Sequence, residues 1–250
     1  MCNSYWNSLA ENYTDQVLEI ANYDISGVLK EEIKFISKNA DTVADLGCGP
    51  GKTLELLSPH FKNVKAVDYA ADLLKRAQKR YNFRNVEYIK HNLTSTRSIG
   101  FKTDAVFCVN VMISPVFEQR KRIAKKVWQT TKKNGLSVFV VPSFESILHV
   151  YNTLLNYQIR FGVKRNKSVA DLERVFKKEV ISVVDGIVSI GGTPTKCYTK
   201  EKLESFISSI GFEPIRTRKI EFSWEEEMEN VPQKIAEPYP WDWFLLAQKK

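Results

Sequence analysis

Residues 43 to 53 read Val-Ala-Asp-Leu-Gly-Cys-Gly-Pro-Gly-Lys-Thr: an apolar run ends on an acidic residue and passes straight into three glycines spaced two apart. No other stretch so narrows what the chain can fold into. A strand that stops in a glycine turn and reopens as a helix is the first unit of an α/β sheet built around a ligand crevice. Gly47, Gly49 and Gly51 have no Cβ, so the turn can be tight and a nucleotide-type ligand can lie against its amide groups. Asp45, at the strand's end, is expected to face the same crevice.

Spacing separates the ligand classes. A nicotinamide fingerprint needs G-x-G-x-x-G, but position 52 is Lys52 and the third glycine comes one residue early. A phosphate-binding loop ends in Gly-Lys-Thr, as Gly51, Lys52 and Thr53 do, yet its first glycine would stand at position 46, which is Leu46. Both miss by one residue. The order acidic-x-G-x-G-x-G instead resembles the first motif of class I S-adenosylmethionine-dependent methyltransferases, where the glycine turn lies against the methionine part of the cofactor.

Further segments follow in the order this resemblance implies. Val64 to Val67 make a second apolar strand closed by Asp68, 21 residues beyond Gly47, where α/β nucleotide folds place a carboxylate to accept from two ribose hydroxyls. Val86 to Ile89 make a third strand, followed by Asn92 and Leu93 at the family's adenine position. Ala105 to Val109 make a fourth, leading to Asn110, Val111 and Met112 beside the sulfonium. Residues 136 to 141 make a fifth, after a Lys133-Asn134-Gly135 turn. Amphipathic helical stretches lie at 52 to 58, 71 to 82 and 116 to 132. The resemblance covers residues 41 to 142 closely and 197 to 250 more loosely. It implies cofactor contacts from Tyr13, Asp45, Gly47, Cys48, Gly49 and Gly51, and from Asp68, Tyr69, Asn92, Leu93 and Asn110. Cys48 itself reads as a small turn residue, and Lys52 and Thr53 as the opening of the first helix.

The fold expected is a Rossmann-like α/β three-layer sandwich with a seven-stranded, mostly parallel sheet closed by an antiparallel hairpin. That hairpin is placed at Phe212 to Phe222 and Trp241 to Ala247, with the acidic run Glu225 to Glu229 between. Thr199 is expected to cap the preceding helix. The chain reads as a single domain over 1–250. Residues 1–40, with Tyr5, Trp6, Leu9, Ala10 and Tyr13 on a helix, resemble the N-terminal lid of small-molecule methyltransferases. Residues 143–195 exceed a simple strand-to-helix connection, so an insertion is expected there, forming a substrate lid. It would hold a helix over Ser146 to Phe161, a second near Val169 to Lys178, and a strand or hairpin over Val180 to Ile190.

Composition bounds the remaining classes. At 250 residues and 43% hydrophobic the chain can bury a substantial core. It has no apolar run long enough to span a bilayer, and its Met-Cys-Asn-Ser-Tyr-Trp start is not a signal peptide, so a cytoplasmic location is expected. Cys2, Cys48, Cys108 and Cys197 form no C-x-x-C pair, and His60, His91 and His149 have no ligand spacing, so no metal site is expected. A formal charge of +8 raises nucleic acid as a partner. However, the basic clusters Lys75 to Arg80 and Arg120 to Lys126 sit on amphipathic helices, whose solvated faces account for them.

The expected activity is methyl transfer from S-adenosylmethionine to a small-molecule acceptor at oxygen or nitrogen. The alternatives are a protein or RNA methyltransferase, or a non-catalytic S-adenosylmethionine-binding regulatory or partner subunit. After the fourth strand the chain reads Asn110-Val111-Met112-Ile113-Ser114-Pro115, without the Asn/Asp-Pro-Pro-Tyr/Phe of the branch that methylates base and glutamine nitrogens. Candidates for proton removal are His149, Tyr151, Glu145 and Tyr5, none with a partner visible in sequence.

Overall fold

A strand covered on both faces must be apolar on both, and the first strand, Thr42–Leu46 (β1), is buried along its last four residues without alternation. The structure, a computed structural model, describes residues 23–228 and 235–250. β1 is followed by Asn63–Asp68 (β2), Val86–Lys90 (β3), Thr103–Val109 (β4) and Thr131–Pro142 (β5). Three short strands come next, Val180–Ser182 (β6), Ile187–Ile190 (β7) and Thr193–Lys196 (β8), then two long ones, Phe212–Glu221 (β9) and Trp241–Lys249 (β10). The helices are Val28–Ser37 (α1), Leu54–Leu57 (α2), Ala71–Arg80 (α3), Phe117–Thr130 (α4), Phe144–Arg160 (α5), Arg165–Glu179 (α6), Lys200–Ile210 (α7) and Trp224–Glu227 (α8).

Seven strands form one sheet in the order β3-β2-β1-β4-β5-β10-β9. β1 to β5 pair in parallel, and β10 runs antiparallel to both β5 and β9. This is the expected sandwich closed by a reversed hairpin. The order reverses between β1 and β4, so the loops leaving these two strands diverge and open a crevice at their carboxyl ends. Alternate residues feed two apolar layers. Val43, Phe107, Val138, Val140, Phe244 and Leu246 pack toward α1 and α2, burying Leu29, Ile33, Leu54 and Leu57. Ala44, Val106, Phe139, Val141 and Leu245 face α4 and α7, burying Ile123, Val127, Leu203 and Ile207.

Several boundaries differ from the sequence reading. Lys133-Asn134-Gly135 is not a turn before a fifth strand but an irregularity within β5: the register against β4 jumps from Thr131 opposite Thr103 to Leu136 opposite Ala105, and Asn134 takes φ +63°. The helix expected at 52 to 58 shrinks to α2 because the glycine turn runs on through Thr53. The helix expected near Val169 starts earlier, at Arg165. Beyond the expected hairpin, β8 completes a separate three-stranded antiparallel sheet, β6-β7-β8. The part of residues 1–40 that is described, α1, is a core helix with Leu29, Ile33 and Ile36 buried, because its apolar face packs on the sheet. Tyr5, Trp6, Leu9, Ala10 and Tyr13 lie outside the described residues.

α1 is also tied to the sheet edge by charge. Glu32, 1% exposed, accepts from Arg216 Nε at 2.8 Å and Nη2 at 2.7 Å, and from Arg218 Nη1 at 3.1 Å. Both arginines remain about a third exposed, so the two ends of the pair are not equivalent. Removing both arginines strands a buried carboxylate, whereas Glu32→Gln leaves cations that water reaches. The double change Arg216→Ala/Arg218→Ala is therefore expected to cost about 3 kcal/mol of stability, and Glu32→Gln less than half of that, read from urea unfolding midpoints. Equal costs would contradict this asymmetry.

Candidate functional site

At the end of β1 the chain turns through Gly47 at φ +84°, a region that side chains other than glycine seldom occupy. A Cβ there would also lie 2.4 Å from Val111 Cγ2, so the turn is pressed directly against the residues that follow β4. Its amides do not point outward. Gly47 N–H and Cys48 N–H both donate to Val67 O at 2.7 and 3.0 Å, Gly51 N–H donates to Cys48 O at 2.9 Å, and Gly49 N–H donates to Asp68 Oδ2 at 2.9 Å. The sequence reading expected a ligand to lie against these amide groups. The structure uses four of them internally: the end of β2 takes three, at Val67 and Asp68, and Cys48 within the turn takes the fourth.

Two carboxyls flank this turn. Asp45 is 1% exposed and accepts from Thr53 Oγ1 at 2.8 Å. Burial pushes it up to about 7, the Thr53 hydrogen bond pulling against this and the neighbouring Asp68 charge adding to it. Asp68, 8% exposed, is also raised by burial, opposed by the N–H groups of Ala70, Gly49 and Tyr69. Its Oδ1 accepts from Ala70 N at 2.9 Å. The Cys48 thiol is pushed well up by burial, so it is an uncharged packing group.

A cavity of about 690 Å³ opens beside the turn. Of the residues singled out in sequence, Gly47, Asp68, Tyr69, Asn92, Leu93 and Asn110 line it together. Asp45, Cys48, Gly49 and Gly51 stand behind them as the frame of the turn, and Tyr13 lies outside the described residues. Asn92 Oδ1 is taken by Thr94 N and Oγ1 at 2.9 and 2.8 Å, which leaves its amide nitrogen as the group to offer a ligand. Met112 is fully buried in the core beneath, and its carbonyl accepts from Tyr198 Oη at 2.9 Å. His91, Arg97 and Gln119 also line the cavity; they stand in loops or on a polar helix face where no sequence pattern marks them.

The proton-transfer candidates are placed apart from that lining. Glu145 accepts from Lys200 N–H at 2.9 Å and Trp243 Nε1 at 3.0 Å, joining α5 to α7 and β10. Tyr151 donates to Glu179 Oε2 at 2.7 Å, and burial pushes its phenol up. His149 Nε2 lies 2.8 Å from Pro238 O, with its ring between Trp224 and Trp241. Tyr5 lies outside the described residues. Among the described residues no cluster of three or more His, Cys, Asp or Glu is arranged to hold a metal ion, and no helix is long and apolar enough to cross a membrane.

Residues 43–135 match the family model of a methyltransferase domain. The chain is 24% identical over 218 residues to an uncharacterized protein of Methanocaldococcus jannaschii, covering 85% of this chain and 76% of that protein. Among solved structures, the DhpI-SAM-HEP complex superposes with a TM-score of 0.59 at 16% identity, over 99% of this chain and 95% of the other. The N-methyltransferase NodS from Bradyrhizobium japonicum WM9, in complex with S-adenosyl-l-homocysteine, gives 0.57 at 10% identity, over 90% and 85%. Magnesium protoporphyrin IX methyltransferase from Synechocystis PCC 6803 gives 0.55 at 15% identity, over 91% and 85%. At such identities the neighbours establish the fold, and the domain match falls on the segment that builds the glycine turn and the cavity. Residues 43–135 thus carry the sequence of a methyltransferase domain on a matching fold.

Two consequences follow from the turn. In Gly47→Ala the added methyl meets Val111 in a backbone region that disfavours it, at a cost of roughly 2 kcal/mol. Thermal unfolding is expected to register that loss, and Val111→Ala in the same chain to recover the steric part of it. Asp45 gives a pH signature: a carboxyl held near 7 when folded and ~3.9 when unfolded contributes stability that is complete below about pH 4 and lost as pH rises through 7. Asp45→Asn, which keeps an oxygen for Thr53, should raise stability at pH 8 by on the order of a few kcal/mol and flatten the slope between pH 5 and 8. An unchanged slope in urea titrations would contradict it.

Proposed function

We propose that the chain transfers the methyl group of S-adenosylmethionine to a small-molecule acceptor, at oxygen or nitrogen. What supports the acceptor class is the segment 143–196, which is fastened to the loop that follows β4. Lys196 N–H donates to Ile113 O at 2.8 Å, Tyr198 Oη to Met112 O, and Ser143 bridges to Tyr198. The strap is thus fastened to Met112 and Ile113, and Ile113 forms part of the cavity wall. Chain fastened beside the cavity mouth suits a metabolite better than a duplex or a folded protein, which need an open groove.

The residues fit the cofactor. Inward amides and two carboxyls make the turn a poor cradle for phosphate, which needs outward N–H groups, and a favourable one for a ligand carrying positive charge. In this reading Asp68 accepts from the ribose hydroxyls, Asn92 and Leu93 hold the adenine, and Gly47 with Asn110 borders the methionine end. The cofactor supplies a methyl on a sulfonium, whose positive charge disappears as the acceptor's electron pair forms the new bond and the carbon–sulfur pair returns to sulfur. The chain's part is positioning and exclusion of water.

Calorimetric titration with S-adenosylhomocysteine tests the cofactor residues: Asp68→Ala is expected to weaken binding roughly 10- to 100-fold. Incubation with isotopically labelled S-adenosylmethionine and cell extract tests the acceptor. Label should pass to the dialysable organic fraction, and label confined to protein or RNA would overturn the small-molecule reading.

A further inference from the structure

Asn110 takes a left-handed backbone, φ +54°, and among the described non-glycine residues only Asn134 shares it. That region is unfavourable for side chains generally and tolerated best by Asn and Asp. Something must hold Asn110 there, and it lies in the cavity wall, next to the Val111 that presses on Gly47. Its N–H donates to Val140 O at 2.9 Å. Its side-chain amide faces the carboxyl of Asp242 and favours the charged form, as does the backbone N–H of Ser143. Ser143 is the N-cap of α5, its hydroxyl accepting from Ser146 N–H at 3.0 Å.

Asp242 is therefore the junction of three segments: the loop after β4, the first turn of the lid, and β10, where it sits opposite Pro142. It is 6% exposed. The groups facing it are Asn110, Ser143, the Glu227 carboxyl and the Cys197 thiol, both of the latter raised in part by its charge. Burial pushes Asp242 up to about 7; at pH 8 it is a carboxylate, which only accepts and so orients the amide nitrogen of Asn110 toward itself. The amide oxygen is then buried without a hydrogen-bond partner among the described residues, so no second bond competes with Asp242 for the orientation of this side chain.

We propose that Asp242 is a positioning residue of the cofactor site: through Asn110 it holds the wall after β4 against the glycine turn, in the shape that receives the amino-acid end of the cofactor. This rests on the S-adenosylmethionine reading. The role is local to one end of the ligand, which separates it from a general contribution to folding. A loosened Asn110 lets Val111 move over Gly47, whereas the Asp68 end of the cavity is held by its own hydrogen bonds.

The test compares S-adenosylhomocysteine with 5′-methylthioadenosine, which lacks the amino-acid arm, by calorimetry at pH 8. Asp242→Asn is expected to weaken S-adenosylhomocysteine roughly tenfold while changing 5′-methylthioadenosine by less than about twofold, and to add nothing in an Asn110→Ala background. Equal losses for the two ligands in a folded variant, or losses that add across the two positions, would overturn the inference. If Asp242→Asn does not fold, Asn110→Ala alone must show the same selective loss, and undiminished S-adenosylhomocysteine binding by it overturns the inference as well. A folded wild type that binds neither ligand would instead overturn the cofactor reading, and this inference with it.

Discussion

The site depends on one buried carboxylate. Asp68 closes β2, and its two oxygens take the N–H of Gly49 on one side and of Ala70 on the other. Its carbonyl takes the N–H of His91, the first residue after β3. Three loops that wall the cavity are thereby tied to a single residue: the glycine turn, the start of α3 and the connection beyond β3. Burying a carboxylate is costly unless donors surround it, and here the backbone supplies them. The walls are therefore held in place before any ligand enters, which limits the ordering cost of binding.

The charge around this residue discriminates among ligands more sharply than the glycine spacing does. A glycine turn is a phosphate site when its N–H groups point outward, and here those of Gly47, Cys48, Gly49 and Gly51 are all used within the protein. What faces the ligand region is backbone without free donors and, close behind it, two carboxyls. The chain as a whole is basic, with 37 Lys and Arg against 29 Asp and Glu. The carboxyls stand at the turn while Lys90 and Arg97 stand elsewhere in the cavity wall, so the crevice carries both signs.

Much of this was legible in the sequence because it is local. Asp45, the three glycines and Asp68 stand at strand ends that periodicity locates. What escaped is long-range or depends on direction. Asp242 reaches Asn110 across 132 positions of sequence, and it sits in a strand whose neighbours Trp241 and Trp243 mark it only as a core segment. The use of the turn's amides is set by where β2 ends, not by residue type. β8 follows Gly191 and Gly192 and contains Pro194, so its composition does not mark a strand, yet it pairs with β7. His149, Tyr151 and Glu145 carry suitable chemistry in sequence, but each is engaged with Pro238, Glu179 or Lys200.

That engagement bears on the kind of acceptor the cavity serves. Of the titratable groups lining it, Asp68 is occupied by backbone donors. His91 is lowered by burial and by the Lys126 charge, so it is a neutral imidazole at pH 7. It stands on the loop after β3, beside Asn92 and Leu93, whereas the loop after β4 carries Asn110, Val111, Ile113 and Ser114 at the other side of the cavity. None of these four can take a proton at neutral pH. An acceptor that is already nucleophilic at the working pH, a carboxylate or an unprotonated amine, needs only to be held in line with the methyl group. An alcohol would need a base that the described cavity wall does not supply beside Asn110. Under the proposed function, the acceptor classes therefore differ in the pKa that the acceptor brings with it.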